Sequence, residues 1–234
     1  MDSEVAMTPL HRHQLAWLTA AGWQRLRDQD WDATARDCLA HWAAHRLPLV
    51  VTRQRGAAPR PEPLIALGLP APGRWQRRRM ALEVARREVL YFDEFPVADE
   101  VTPLLPKAAR ADWRRLCTLL KAAGLVGRVY GSYGWQQLSG LDHVHRSSDL
   151  DVWVAVSHPG QADAAAAMLQ AFSCAGPRLD GELAFGDGAS VAWREWLAWR
   201  GGRARSLLAK TLAGASLSEG LGACRAESAT EAMP

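Results

Sequence analysis

VYGSYGWQQLSGLDHVHRSSDLDVWVAV, residues 129–156, is the stretch from which the rest of the chain can be read. A short apolar run ends in Gly131-Ser132. Sixteen residues separate Ser132 from Asp149, and Asp149 and Asp151 stand one residue apart inside a second apolar run. In an extended strand, residues i and i+2 point the same way. The two aspartates therefore share a face with Trp153, while Leu150, Val152, Val154 and Val156 share the other. The second face is core. Two carboxylates side by side repel, and each loses hydration if it is enclosed unpaired. A divalent cation removes that penalty, and Mg²⁺ takes one or two carboxylates from a protein before substrate phosphates complete its shell. On its own, the pair fits solvated acids on an exposed strand face equally well.

Gly131 and Ser132 shift that balance. They fall where a strand over 126–130 is expected to give way to a short helix over 132–138, ahead of a strand over 148–156. A glycine there lets an anion approach the backbone, and the first N–H groups of a helix have no partner within it. Ser132 adds a hydroxyl and can cap the helix. The unit strand, Gly-Ser, helix, strand with Asp-x-Asp thus offers a phosphate seat beside a metal seat.

Around this unit lies a chain of ordinary soluble composition. It has 234 residues, 48% apolar and 23% charged, with a net charge of +3. No apolar run approaches the roughly 18 residues of a membrane span. The N-terminal MDSEVAMTPLHRHQ carries neither the basic region nor the apolar region of a signal peptide, so a cytoplasmic address is expected. Cys38, Cys117, Cys174 and Cys224 form no CxxC pair and read as buried free thiols. The modest charge, with no basic–aromatic stripe, argues against nucleic acid as a partner. Arg74 to Arg79, RWQRRR, is the densest basic cluster and reads as a solvated arginine run or a docking surface for an acidic protein.

Periodicity organises the remainder. DWDATARDCLAHWAAHR reads as a helix with Asp30 at its N-cap, and LPLVVTR and LIALGLP read as strands on either side of the Pro-rich GAAPRPEP. RRRMALEVARREVLYF is ambiguous: its residues favour helix, but Met80, Leu82 and Val84 alternate as in a strand. A divider at about 95–107 precedes the helix ARADWRRLCTLLKAAG, where Trp113, Leu116, Leu119 and Leu120 share a face and Gly124 ends the run. A helix opening at Pro159, strands in PRLDGELAF and SVAW, and a helix from Arg194 follow. The expected fold is α+β, a mixed sheet with flanking helices over 101–214, preceded by a smaller α/β domain over 1–100. Residues 215–234, small and polar, read as a flexible tail.

GSYGWQQLSG…SDLDVWV resembles the Gly-Ser…Asp-x-Asp signature of the DNA polymerase β-like nucleotidyltransferase superfamily, at the long end of its spacing. RHQLAWL, LPLVVTRQ, IALGLP, VYGSYGWQQLSG, SDLDVWV, PRLDGELAFGDGASVAWREW and LLAKT, in that order from Arg12 to Lys210, resemble the malonate decarboxylase holo-acyl-carrier-protein synthases. This family is also called the phosphoribosyl-dephospho-CoA transferases. The resemblance implies a nucleotidyltransferase-like catalytic sheet. It also implies transfer of the phosphoribosyl-dephospho-CoA group from 2′-(5″-triphosphoribosyl)-3′-dephospho-CoA to a serine of an apo acyl carrier protein, with loss of pyrophosphate. Asp149 and Asp151 would hold Mg²⁺, and Gly131 and Ser132 the leaving pyrophosphate. A third carboxylate, as metal ligand or base, would be Asp180 or Glu182; the shorter Asp180 matches the first two better.

Arg178, Arg194 and Lys210 are candidate phosphate contacts, and Lys210 in the apolar SLLAKTLA must snorkel or find an anion. His143 and His145 read as polar loop residues or phosphate contacts rather than a zinc site, and Trp135 as core. The N-terminal domain is expected to bind the donor or the carrier protein. The same core acting on a small molecule, another protein hydroxyl or RNA is the alternative enzyme. A non-catalytic module is opposed by the intact acid pair.

Overall fold

Short apolar segments, alternating in and out, build the first half of the chain. The computed structural model describes residues 10–54, 62–174 and 176–220. Residues 56–61 of the expected Pro-rich turn, Cys224 and residues 221–234 of the expected tail lie outside them. The first elements are β1 (Leu15–Leu18), α1 (Ala20–Arg27), α2 (Ala33–Ala44), β2 (Leu49–Val51), β3 (Leu64–Pro70), β4 (Arg79–Ala85) and β5 (Val89–Asp93). The strands lie in the order β4-β3-β2-β1-β5, each pairing antiparallel. Leu39 and Trp42 of α2 pack with Leu67 and Leu82 from the sheet in one core. The ambiguous RRRMALEVARREVLYF resolves as strand: Met80, Leu82 and Val84 are buried while Arg79, Ala81 and Glu83 face out, and a 3₁₀ turn at Arg86–Glu88 separates β4 from β5. Burial of the alternating face overrides helix propensity there.

The cap of α2 is Asp32 rather than Asp30. Its side chain accepts the Ala35 N–H at 2.9 Å, the third helical residue, which a carboxylate two residues upstream does not reach.

After 3₁₀ segments at Ala98–Leu104 and Lys107–Ala109 come α3 (Arg110–Ala122), β6 (Gly127–Val129), α4 (Gly131–Ser139), β7 (Leu150–Val156) and α5 (Pro159–Ala171). Then follow β8 (Leu179–Phe185), β9 (Ser190–Ala192), α6 (Trp193–Arg200), β10 (Leu207–Lys210) and β11 (Ala215–Ser218). The second sheet runs β11-β10-β9-β8-β7-β6. Its β7–β8 pair is parallel, as a strand–helix–strand crossover through α5 requires, and its other pairs are antiparallel. This is the mixed α+β sheet with flanking helices that the pattern predicts. Trp113, Leu116 and Leu120 of α3 enter its core, but Leu119 is 44% exposed and does not share their face. Residues 215–218, expected to open a tail, instead extend the sheet, because β10 offers them a free edge.

The halves are joined. Leu15, Phe95 and Trp135 form a small cluster from both, and the Gln54 N–H donates to the Leu212 carbonyl at 2.8 Å. Cys38 and Cys117 are buried free thiols, with Cys38 pushed up to about 12 by burial. Among the described residues no helix is long and apolar enough to cross a membrane.

Candidate functional site

β6 ends at Val129; the next residue, Tyr130, donates its N–H to the Asp151 carbonyl at 3.0 Å, and α4 begins at once with Gly131. Gly131 has φ +62°, and a Cβ there would stand 2.1 Å from Asp151 Oδ2. The helix start and the carboxylate are thus in direct contact, which only glycine permits. The N-cap of α4 is Tyr130, which makes no side-chain cap bond, so Ser132 lies within the first turn rather than capping it. Gly131, Ser132 and Asp151 all line one cavity.

Asp149 immediately precedes β7. Parallel register places Asp151 beside Asp180 and Trp153 beside Glu182. Between them, Gly181 lies so close to β7 that a Cβ would fall 1.7 Å from the Val152 carbonyl oxygen. Arg178 grips Asp149 with two bonds, Nε to Oδ1 at 3.1 Å and a terminal nitrogen to Oδ2 at 2.5 Å, and also reaches Asp180 at 3.4 Å. Arg194 contacts Asp180 at 3.4 Å while donating to the Leu179 carbonyl at 2.8 Å. Three carboxylates and two guanidiniums therefore meet at one end of the β7–β8 pair.

Their proton affinities diverge. Hydrogen bonds from Arg178 hold Asp149 below the usual carboxylate range. Asp151, half-buried, is pushed up to about 6 by desolvation and by the neighbouring charges of Asp149 and Asp180.

Glu182 belongs to a different group. Its side chain, 6% exposed, receives Lys210 Nζ at 2.8 Å, His13 Nε2 at 3.1 Å and Arg12 at 3.4 Å to each oxygen. Burial alone would raise it, but the hydrogen bonds from His13 and Lys210 and the Arg12 charge outweigh that and bring it to about 2. The His13 ring lies 4.1 Å from that of Tyr130, tying the segment before β1 to the start of α4. Tyr130 holds its proton firmly because it is buried, with Glu182, Asp151 and Asp180 nearby.

Of the residues singled out from sequence, Gly131, Ser132, Asp149, Asp151, Asp180, Arg178 and Arg194 converge. Lys210 finds its anion in Glu182. His143 and His145 line the cavity, and burial lowers His143 to about 4, so it is neutral and packs on Trp135 with ring centroids 6.2 Å apart. Trp135, 5% exposed and edge-on to Phe95, is core. Arg12 and His13 escaped the sequence reading. Their only local signal is the charge of LHRHQ, and their partner lies about 170 residues away.

The donor set is chemically suited to Mg²⁺: hard carboxylate oxygens from Asp149, Asp151 and Asp180, where a guanidinium already bridges two of them. Among the described residues no group of three or more His, Cys, Asp or Glu side chains is gathered to hold a metal by itself. The ion's shell would have to be shared with a ligand, as Mg²⁺ prefers.

Fold and site together define the class, an α+β protein whose two halves share a polyionic site. The family models described as the Phosphoribosyl-dephospho-CoA transferase MdcG N-terminal and C-terminal domains match residues 11–95 and 96–220. A phosphoribosyl-dephospho-CoA transferase of Bradyrhizobium diazoefficiens is 36% identical over 188 residues, covering 80% of this chain and 82% of that protein. One of Xanthomonas euvesicatoria is 34% identical over 205 residues, covering 86% and 90%. The chain belongs to the phosphoribosyl-dephospho-CoA transferase family. No solved structure matches it.

Proposed function

We propose that the chain transfers the phosphoribosyl-dephospho-CoA group from 2′-(5″-triphosphoribosyl)-3′-dephospho-CoA to a serine of the apo acyl carrier protein of malonate decarboxylase, releasing pyrophosphate, with Mg²⁺. Family membership supports the transferred group. The observation that carries the chemistry is Gly131 packed on the Asp151 carboxylate, with Asp180 level with Asp151 on the parallel strand.

In this reading the serine oxygen forms a bond to the α-phosphorus, the bond from that phosphorus to the bridging oxygen breaks, and pyrophosphate leaves with the electron pair. Asp149 and Asp151 would hold the cation. When bound, Mg²⁺ offsets charge on the triphosphate and on the attacking oxygen. Gly131 and Ser132 direct helix N–H groups and a hydroxyl toward the departing phosphates. Arg178, 64% exposed, can turn from Asp149 to phosphate oxygens, and Arg194 stands beside it. Asp180 takes the serine proton, since Glu182 is already engaged by Lys210, Arg12 and the His13 ring. Such catalysis is chiefly positioning and electrostatics. A cytoplasmic address is part of this reading.

The test is to incubate the protein with Mg²⁺, the triphosphoribosyl donor and apo carrier protein, and to weigh the carrier by mass spectrometry. A gain of the prosthetic group that vanishes with Asp149→Ala and Asp151→Ala is expected. No gain, or label transfer from ATP to another acceptor instead, overturns the reading.

A further inference from the structure

The cavity that reaches Gly131, Ser132 and Asp151 does not end there. It has a volume of about 710 Å³ and continues between the halves onto the first sheet, where Val50, Gly68, Pro70 and Ala81 form an apolar wall and Arg77 and Arg79 the far rim. That volume is of the order of a cofactor site, which spans roughly 300–1,000 Å³.

The basic cluster preceding β4 is divided in space. Arg74 lies over the Trp75 ring at 4.5 Å and near Asp37, and Arg78 pairs with Asp32. Arg77 and Arg79 line the cavity, and neither has a carboxylate partner among the described residues. The turn presenting Arg77 is strained. Gln76 and Arg77 are successive left-handed residues, φ 59° and 53°, held by N–H bonds to the Gly73 and Pro72 carbonyls. Each such residue costs on the order of 1 kcal/mol, and strain of this kind clusters where a ligand is gripped.

We propose that this cleft seats the dephospho-CoA moiety of the donor, with Arg77 and Arg79 holding its 5′-diphosphate and the β3–β4 wall its pantetheine arm. The inference rests on the transferase reading. A nucleoside triphosphate with its phosphates at Gly131 offers nothing to the far rim. Dephospho-CoA carries a second anion for the two arginines and an aliphatic amide chain for the wall. The first sheet is then what separates this donor from ATP.

The test titrates the full chain with dephospho-CoA, which lacks the triphosphate and so needs neither metal nor turnover. Calorimetry should show binding that weakens about 10-fold or more in the Arg77→Ala/Arg79→Ala double variant, as expected for losing two charge-assisted contacts. Arg74→Ala, which removes a charge of the same cluster outside the cavity, should bind within about 2-fold of the parent, and ADP should bind more weakly than dephospho-CoA. The arginines are exposed, and far-UV circular dichroism would verify the fold of the double variant. Absent binding to the parent chain, equal binding by the double variant, or a rise in KM for carrier protein in place of donor would each overturn the cleft. Arginine-dependent binding without transfer to the carrier would instead sink the transferase reading and leave the cleft standing.

Discussion

Two acid pairs sit on neighbouring strands, Asp149–Asp151 in DLD and Asp180–Glu182 in DGE, and in sequence they look interchangeable. In the fold, Asp151 and Glu182 are both enclosed, yet one is pushed up to about 6 and the other down to about 2. Burial raises both. The difference lies in company: Asp151 faces other carboxylates, whereas Glu182 is met by Lys210, His13 and Arg12. A buried carboxylate without a counter-charge is poised to bind a cation. One with three donors is already satisfied and holds structure together. Asp180, 38% exposed and touching two solvent-exposed guanidiniums, stands with Asp151.

The sharpest way to break this comparison is to remove each acid and read activity against stability. Asp151→Ala should reduce transfer by roughly 10³-fold, the scale of losing a group aimed at developing charge, with no loss of the urea midpoint. Glu182→Gln should do the reverse. It leaves enclosed cations unmatched and should lower unfolding free energy by about 2–4 kcal/mol in urea titration, the lower figure reflecting partly exposed partners. If Glu182→Gln kept its stability and lost only activity, the assignment of roles would be inverted.

Gly131→Ala probes contact between the helix start and Asp151. Left-handed φ and the 2.1 Å approach require the carboxylate to shift, and transfer should fall about 10- to 100-fold while Gly140→Ala, at the open end of α4, leaves it unchanged.

The smallest effect concerns pH. Without metal, Asp151 binds its proton more tightly folded than unfolded, where its ordinary value is 3.8. The folded state therefore holds more protons between about pH 4 and 6, and this residue's contribution to stability falls as pH rises through that window. Glu182, lowered from 4.5 to about 2, contributes stability that is complete above pH 4.5 and is lost as pH falls toward 2. Asp151→Asn should accordingly raise metal-free stability at pH 7 by about 1–2 kcal/mol, and added Mg²⁺ should narrow the gap. A neutral or destabilising Asn would show that the Asp151 charge is already compensated.

What sequence discloses here is what lies close along the chain. Gly131-Ser132 at a strand end and the shared face of Asp149 and Asp151 follow from local geometry, and α4 and β7 form within a residue or two of their expected bounds. The choice between Asp180 and Glu182 does not follow, because i and i+2 share a face whichever of them meets cations. That choice is made by Arg12 and His13, nearly the whole chain away, and by Lys210 two strands along the sheet. The Arg74–Arg79 run likewise reads as one basic surface until two of its arginines prove to be paired and two to face a cavity. The β4 segment shows the opposite lesson: helix-forming residues gave way to a period of two, because Met80, Leu82 and Val84 had a core to fill.

Gly181 gives the site its gauge. With a bare hydrogen where every other residue has a carbon, β7 and β8 close to their full approach, and Asp151 and Asp180 stand level across the gap. A methyl group at that point would widen the strands and draw apart the two acids. The spacing of these two acids is thus set by an atom the chain leaves out.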